Sequence, residues 1–116
     1  EALPGSRAGN NLLDETVVVV FSEMSRTPLL NGTGGKDHHP VTSALVFGGG
    51  VAGGRAYGGT DDNVRSQLVD FETGEVDDDG GTLTTASLLA GVVELAGADA
   101  SEYVTNASPF SAICQS

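Results

Sequence analysis

The chain has a single cysteine, Cys114, among its 116 residues, and it has no tryptophan. An internal disulfide is therefore excluded, and with it the class of small secreted domains that several disulfides hold together. Two roles stay open for Cys114. It is either an intermolecular bridge or reactive thiol, or a buried or frayed cysteine near the end of the chain. We favour the second role.

Basic residues are also scarce, since 5 lysines and arginines stand against 16 acidic residues and the formal net charge is -11. Such a chain repels nucleic-acid phosphates and anionic lipids, so we expect neither as a partner, and it favours divalent cations. No apolar run reaches the ~18 residues of a membrane-spanning helix, so we expect no membrane span. No signal-peptide pattern begins the chain, and its first residue is Glu1, so we expect the start of translation upstream.

Hydrophobic residues still make up 39% of the chain, and they form three clear segments. Residues 16–21 are a continuous β-branched and apolar run, the pattern of a strand buried on both faces of a mostly parallel sheet. Residues 43–47 predict a second short buried strand. Residues 84–97 predict one helix, capped by Thr82 or Thr84 and ended by Gly97, whose apolar stripe should lie on the sheet.

These elements predict an α/β fold with helices flanking the sheet. We expect a linker or entry segment over residues 1–13 and a single domain over residues 14–116, which closes with a short helical turn near 101–104 and an extended tail. Two strands and one helix make a thin core, and a strand buried on both faces needs sheet neighbours. We therefore expect the domain to be incomplete without further protein packed against it.

Two stretches between these elements are rich in glycine or in carboxylates. Residues 48–59 contain seven glycines between hydrophobic stretches, and this pattern predicts a hairpin or tight reversal. A dinucleotide-binding motif is not favoured, because no helix pattern follows the glycines. Residues 60–81 carry clustered aspartates and glutamates. A calcium site is conceivable there, but the spacing lacks the ligand pattern of an EF-hand, and we favour solvated acidic turns.

The loop after the first strand carries the residues that could do chemistry. It contains Glu23, Arg26, Asp37, His38 and His39. Carboxylates with imidazoles suit a divalent metal such as zinc or manganese, and an arginine beside them suits a phosphate or sulfate oxygen. The alternative is that Glu23 and Arg26 form an ordinary surface ion pair and that the two histidines are exposed loop residues.

The order of residues in this loop resembles a known family. The stretch TVVVVFSEMSRTPLLNGTGGKDHHPVTSALVFGGGVAGGRAYG and the later VDFETGEVDDDGGTLTTASLLAGVVELAGADASEY are similar to the C-terminal segments of domain of unknown function 1501. That family consists of sulfatase-like bacterial proteins that are usually exported by the twin-arginine route. The resemblance implies the C-terminal part of an alkaline-phosphatase-like sheet, located in the periplasm or outside the cell.

The resemblance also implies roles for the loop residues. Glu23, Asp37 and His38 would hold a divalent metal (zinc, manganese or calcium), with His39 as a weaker candidate, and Arg26 would bind the substrate anion. No catalytic residue would lie in this chain, because the nucleophile would come from the N-terminal part of the protein. The expected partner is the N-terminal fragment of the same precursor, or a second copy in a homo-oligomer.

Two functions follow from these expectations. In the first, the chain is the C-terminal half-site of a secreted, metal-dependent hydrolase of phosphate or sulfate esters, and it is inactive alone. In the second, it is a non-catalytic extracellular structural or binding protein that keeps the fold for packing. In that case Glu23 would pair with Arg26 and Asp37 with His38, to hold the loop.

Overall fold

A computed structural model describes residues 5–6 and 9–115, and within them it contains four short strands and one α-helix. The regular elements are β1 (Val17–Phe21), β2 (Ser25–Arg26), β3 (His38–His39), β4 (Ala44–Gly48) and α1 (Thr85–Leu95). Three short 3₁₀ helices cover Leu12–Glu15, Ala100–Glu102 and Ser111–Ile113. Residues 1–4 and 7–8 of the expected linker, and the last residue of the expected domain, lie outside the described residues.

The mixed α/β class is confirmed, but the strands pair differently from the expectation. β1 and β4 form an antiparallel ribbon, with Val17 opposite Gly48 and Phe21 opposite Ala44. A largely parallel sheet was expected, and it is not seen in the described part of the chain. The physical reason lies in residues 22–43, which contain no crossover helix to return the chain to the starting end of β1.

The expectation that these two strands are buried on both faces is wrong for this chain. Side chains of the ribbon alternate between its two faces, and both faces are apolar. Val20 is 54% exposed, and Phe21 and Leu45 are each 58% exposed. The continuous apolar run thus gives the ribbon two apolar faces, but the described residues cover only part of either one.

The hydrophobic core lies away from the ribbon, around the end of the chain. Its buried side chains are those of Val69, Phe110, Ala112 and Ile113. The extended tail that the sequence predicted is wrong, because residues 111–113 form a 3₁₀ helix and Phe110 is 1% exposed. The Phe110 ring meets Tyr57 and Phe71 edge to face, at centroid distances of 5.8 and 5.6 Å.

Helix α1 packs on this core through one apolar face. Leu88, Val92 and Leu95 contact the core cluster, so the helix lies mainly on the C-terminal segment and not on the β1–β4 ribbon, as had been expected. Gly91 permits the contact, because a Cβ atom there would lie 2.4 Å from the carbonyl oxygen of Phe110. The β1–β4 ribbon is thus left partly exposed because α1 packs mainly on the C-terminal segment.

The ends of α1 agree with the sequence. The hydroxyl of Thr84 accepts a hydrogen bond from the Ser87 N–H at 3.1 Å, which satisfies one of the free donors at the start of the helix. Gly97 follows the helix with a φ of 86°, the left-handed conformation that glycine adopts without steric cost. Within the described residues, no helix has the length and apolar character needed to cross a membrane.

Candidate functional site

The two histidines lie in a small hairpin, residues 25–39, which begins with β2 and ends with β3. The strands are antiparallel, with Ser25 opposite His39 and Arg26 opposite His38. Successive residues of a strand point to opposite faces. Arg26 and His38 therefore project from one face of the 25–39 hairpin, and Ser25 and His39 project from the other.

The pairing continues one position beyond the two strands. The Thr27 N–H donates to the carbonyl oxygen of Asp37 at 3.0 Å. Hydrogen-bonded and non-hydrogen-bonded pairs alternate along an antiparallel ladder, so Arg26 and His38 form a non-hydrogen-bonded pair. In such pairs the Cα atoms are about 4.5 Å apart and the side chains are closest. The hairpin thus brings a guanidinium and an imidazole together on one face.

The tip of the hairpin is organised by Asn31, a residue that the sequence analysis did not single out. Its Oδ1 accepts hydrogen bonds from the N–H groups of Thr33 and Gly35, both at 3.0 Å, and from the Thr33 hydroxyl at 2.8 Å. Its Nδ2 donates to Oδ1 of Asp37 at 2.9 Å. The Asp37 carboxylate is therefore held towards the tip of the hairpin. Asparagine followed by glycine was the available signal, because asparagine bonds to its own backbone in turns.

The side chains of Arg26 and Glu23 are not hydrogen-bonded to each other. Nη1 of Arg26 donates to the carbonyl oxygen of Lys36 at 3.2 Å. The Ser22 hydroxyl, which has one proton to donate, lies 2.9 Å from the Met24 carbonyl oxygen and 3.2 Å from Oε2 of Glu23. A guanidinium has five N–H donors in a planar fork, so the bond to Lys36 uses one donor and leaves the others open.

The predicted metal ligands do not form one cluster in the described part of the chain. No group of three or more histidine, cysteine, aspartate or glutamate side chains is placed to hold a metal ion there. His38 and His39 point to opposite faces of the hairpin and cannot bind one ion from these positions. The described residues alone therefore do not fit a metal centre, and Glu23, Asp37, His38 and His39 stay a predicted ligand set.

His39 attaches the hairpin to a turn further along the chain. Its Nε2 lies 2.7 Å from the carbonyl oxygen of Val64, and a carbonyl can only accept, so Nε2 is the donor. The turn at residues 61–65 is itself held by Asp61, whose Oδ1 accepts from the N–H groups of Asn63 and Arg65 at 2.8 and 2.9 Å. His39 is half-buried, whereas His38 is exposed.

The same turn contains a strained residue. Val64 has a φ of 61°, and it is the only non-glycine residue with positive φ in the described chain. This conformation costs about 1–2 kcal/mol in an L-residue, and a β-branched side chain is especially unsuited to it. The His39 hydrogen bond contributes about 0.5–1.5 kcal/mol, so it offsets much of the strain. The sequence contains no turn glycine at this position that would have signalled the conformation.

The acidic stretch consists of turns in which aspartates accept hydrogen bonds from backbone N–H groups. Asp70 accepts from Glu72 and Thr73 at 2.7 and 3.0 Å, and Asp77 accepts from Asp79 at 2.9 Å. Isolated bridges pair Val69 with Val76 and with Gly81 in this region. These carboxylates stabilise turns, and the described residues gather no metal-binding group among them.

Cys114 lies at the edge of the core, close to α1. Desolvation, and then the negative charge of Glu94, raise the pKa of its thiol. A raised pKa lowers the fraction of reactive thiolate, which favours the structural role for this cysteine. Two open clefts, of about 510 and 570 Å³, lie elsewhere, one beside Asp99 and Ser101 and the other between Glu15 and Leu95.

Comparison with known proteins gives one match. A family model described as "Protein of unknown function (DUF1501)" matches residues 8–107, which include the hairpin, the acidic turns and helix α1. No curated protein and no solved structure matches the chain. The match covers most of the 116 residues. The chain therefore belongs to this family of proteins of unknown function, as its resemblance in the loop and the closing helix had indicated.

Proposed function

We propose that this chain is the C-terminal half-site of an exported hydrolase-like protein that acts on phosphate or sulfate esters and belongs to the sulfatase-like, alkaline-phosphatase-like superfamily. The chain is inactive alone. It contributes the 25–39 hairpin, and the remaining part of the site comes from the N-terminal fragment of the same precursor. The protein works in the periplasm or outside the cell.

The observation that carries this proposal is the pairing of Arg26 with His38 across the hairpin. A guanidinium with open donors is suited to a phosphate or sulfate oxygen, because its planar fork matches two oxygens at once. The imidazole beside it supplies a further donor. Both side chains are exposed, so a substrate could reach them.

The apolar ribbon supports the need for a second polypeptide. Phe21 and Leu45 lie in paired strands, and each leaves more than half of its surface exposed. Burying apolar surface contributes about 25 cal/mol per Å², so a partner that covers the ribbon gains binding energy. A second copy of this chain is the weaker choice of partner, because two chains of net charge -11 repel each other.

The metal of the proposed hydrolase would need ligands from outside the described residues. Glu23, Asp37 and His38 are the donors that this chain could contribute, but the described part of the chain does not bring three donors together. In the parent superfamily the metal polarises the ester and activates the nucleophile.

A second candidate function is a non-catalytic structural or binding protein. It is favoured by the hydrogen bond from Asn31 that already holds the Asp37 carboxylate within the hairpin. Under this alternative the 25–39 hairpin is a packing element, and Arg26 stays bonded to the Lys36 carbonyl. The expected pairs of Glu23 with Arg26 and of Asp37 with His38 are not the contacts that are formed.

The experiment is denaturing mass spectrometry of the natively purified protein, followed by phosphatase and sulfatase assays. We expect a larger polypeptide of the same precursor to accompany this chain, and activity only when both are present.

In the active assembly, Arg26→Ala should lower kcat/KM by about 10²–10³-fold, because it removes a donor to the developing anionic charge. Arg55→Ala is the matched control, since Arg55 is an exposed arginine outside the hairpin.

A complete assembly that is inactive and retains no metal after dialysis would support the non-catalytic alternative. Native material that contains this chain without a second polypeptide of the same precursor would contradict the half-site proposal.

A further inference from the structure

The two faces of the 25–39 hairpin make different kinds of contact. On one face, Ser25 donates to the carbonyl oxygen of Val41, and His39 donates to the carbonyl oxygen of Val64. Both side chains attach the hairpin to the rest of the chain. On the other face, Arg26 and His38 are exposed. One face is therefore used for attachment, and the other is open to a ligand.

The open face offers hydrogen-bond donors in a defined arrangement. Nη1 of Arg26 donates at 3.2 Å to the carbonyl oxygen of Lys36, which is the diagonal neighbour of Arg26 across the hairpin. The remaining guanidinium donors and the His38 ring make no hydrogen bond with any other described residue. Neither side chain forms an ion pair with a carboxylate of the described residues, and Oδ1 of Asp37 accepts a hydrogen bond from Asn31 instead.

We propose that Arg26 and His38 together form a binding site for a phosphate-type or sulfate-type oxyanion that needs no metal. Under this inference His38 binds the anion, so of the three metal donors named above only Glu23 and Asp37 are left to this chain. This inference rests on the anion-binding part of the proposed function and deepens it. Its test is independent of hydrolysis, because it measures binding of the anion alone.

Two alternatives for His38 are less consistent with the contacts. A metal ion at His38 would lie beside a cation, because the residue across the hairpin from His38 is Arg26. A purely structural role would require a hydrogen-bond partner or burial, and His38 has neither within the described chain. An oxyanion satisfies both Arg26 and His38 at once, since each can donate to a different oxygen.

The experiment is a titration of the full chain with inorganic phosphate and, separately, with sulfate, in the presence of a strong chelator and at constant ionic strength. Two-dimensional NMR follows the side-chain signals of Arg26 and His38. We expect saturable shifts of both signals. Arg26→Ala and His38→Ala should each weaken phosphate affinity about tenfold or more, as expected for a hydrogen bond to a charged group.

Two variants serve as matched controls. Arg55→Ala removes an exposed arginine outside the hairpin and should leave the affinity unchanged within about twofold. His39→Gln removes the imidazole on the opposite face but keeps a donor for the Val64 carbonyl, and it should also leave the affinity unchanged. Urea unfolding of each variant checks that the fold is retained.

Three results would overturn the inference. Shifts that appear only after a divalent metal is added would make His38 a metal ligand, and the hydrolase proposal would then survive without this inference. An equal loss of affinity in Arg55→Ala would show that the anion is attracted by general charge. Unchanged affinity in a folded His38→Ala variant would remove His38 from the site. Conversely, metal-free binding by a chain whose assembly hydrolyses nothing would support the inference and refute the hydrolase.

Discussion

The C-terminal half of the described chain and the β1–β4 ribbon contain similar apolar side chains but bury them to very different extents. In the C-terminal half, helix α1 and the segment around Phe110 enclose one core, and Phe110 is 1% exposed. In the ribbon, Phe21 has the same side chain and is 58% exposed. The first region is stabilised by this chain itself, whereas the second has surface to offer to another polypeptide.

The difference also separates stability from function. The 25–39 hairpin joins the two strands of the ribbon, so the candidate site is supported by the less buried region. Stability varies within proteins, and binding elements often belong to regions of low local stability. We therefore expect a partner that covers the ribbon also to order the site. Two pairs of substitutions and one change of pH test this contrast.

The largest expected effect comes from truncating the two phenylalanines. Phe110→Ala should lower the free energy of unfolding of the isolated chain by about 3–5 kcal/mol, because it leaves a cavity against Tyr57 and Phe71. Phe21→Ala should change it by no more than about 0.5 kcal/mol, as at other exposed positions. Urea unfolding measures both. Similar losses in the two variants would mean that the ribbon is buried in solution.

The same pair of phenylalanines shows what the sequence could and could not predict. The 16–21 run was recognised as a strand because it is continuous and β-branched, but its expected burial on both faces was wrong. The direction of pairing was not, since pairing depends on the segment between strands and not on the strand itself. Phe110 was missed, because it follows Ser108 and Pro109 in a segment without helical or strand periodicity.

The sequence predicted structure best at positions whose conformation depends on neighbouring residues alone. Thr84 and Gly97 delimit the helix as expected, because caps are satisfied within one turn of chain. The candidate site depended on longer-range contacts. No pattern in the sequence placed Arg26 opposite His38 or brought His39 to Val64, since two-residue strands carry too little periodicity to be read.

A smaller effect is expected from adding one methyl group where the helix meets the C-terminal segment. In Gly91→Ala the new Cβ would lie 2.4 Å from the Phe110 carbonyl oxygen, so the backbone must shift. Alanine favours a helix by up to about 1 kcal/mol, but overpacking costs about 1–3 kcal/mol, so we expect a net loss of about 1 kcal/mol. The melting temperature measures it.

Gly53→Ala is the matched control for this substitution. Gly53 lies in the loop after β4, and no atom of the described chain lies within 4 Å of a Cβ built there. The control should unfold within about 0.5 kcal/mol of the original chain. If Gly91→Ala proved as stable as Gly53→Ala, α1 would not approach the C-terminal segment as closely as the fold requires.

The smallest expected effect is a dependence on pH that belongs to the more buried region. The N–H groups of Thr73 and then Glu72 hold the pKa of Asp70 below the ordinary aspartate value of 3.8. A carboxyl with a lowered pKa in the folded state stabilises it above the unfolded value, and this contribution is lost as the pH falls through the folded value. Unfolding in urea at pH 7 and below pH 3.8 should therefore show a smaller acid-induced loss of unfolding free energy for Asp70→Asn than for the original chain.

Asp78→Asn is the control, since no hydrogen bond to the Asp78 side chain is formed within the described residues, and it should keep the full acid-induced loss. Equal behaviour of the two variants would mean that the turn at Asp70 does not persist in solution, and that the order of the C-terminal half ends at its buried core.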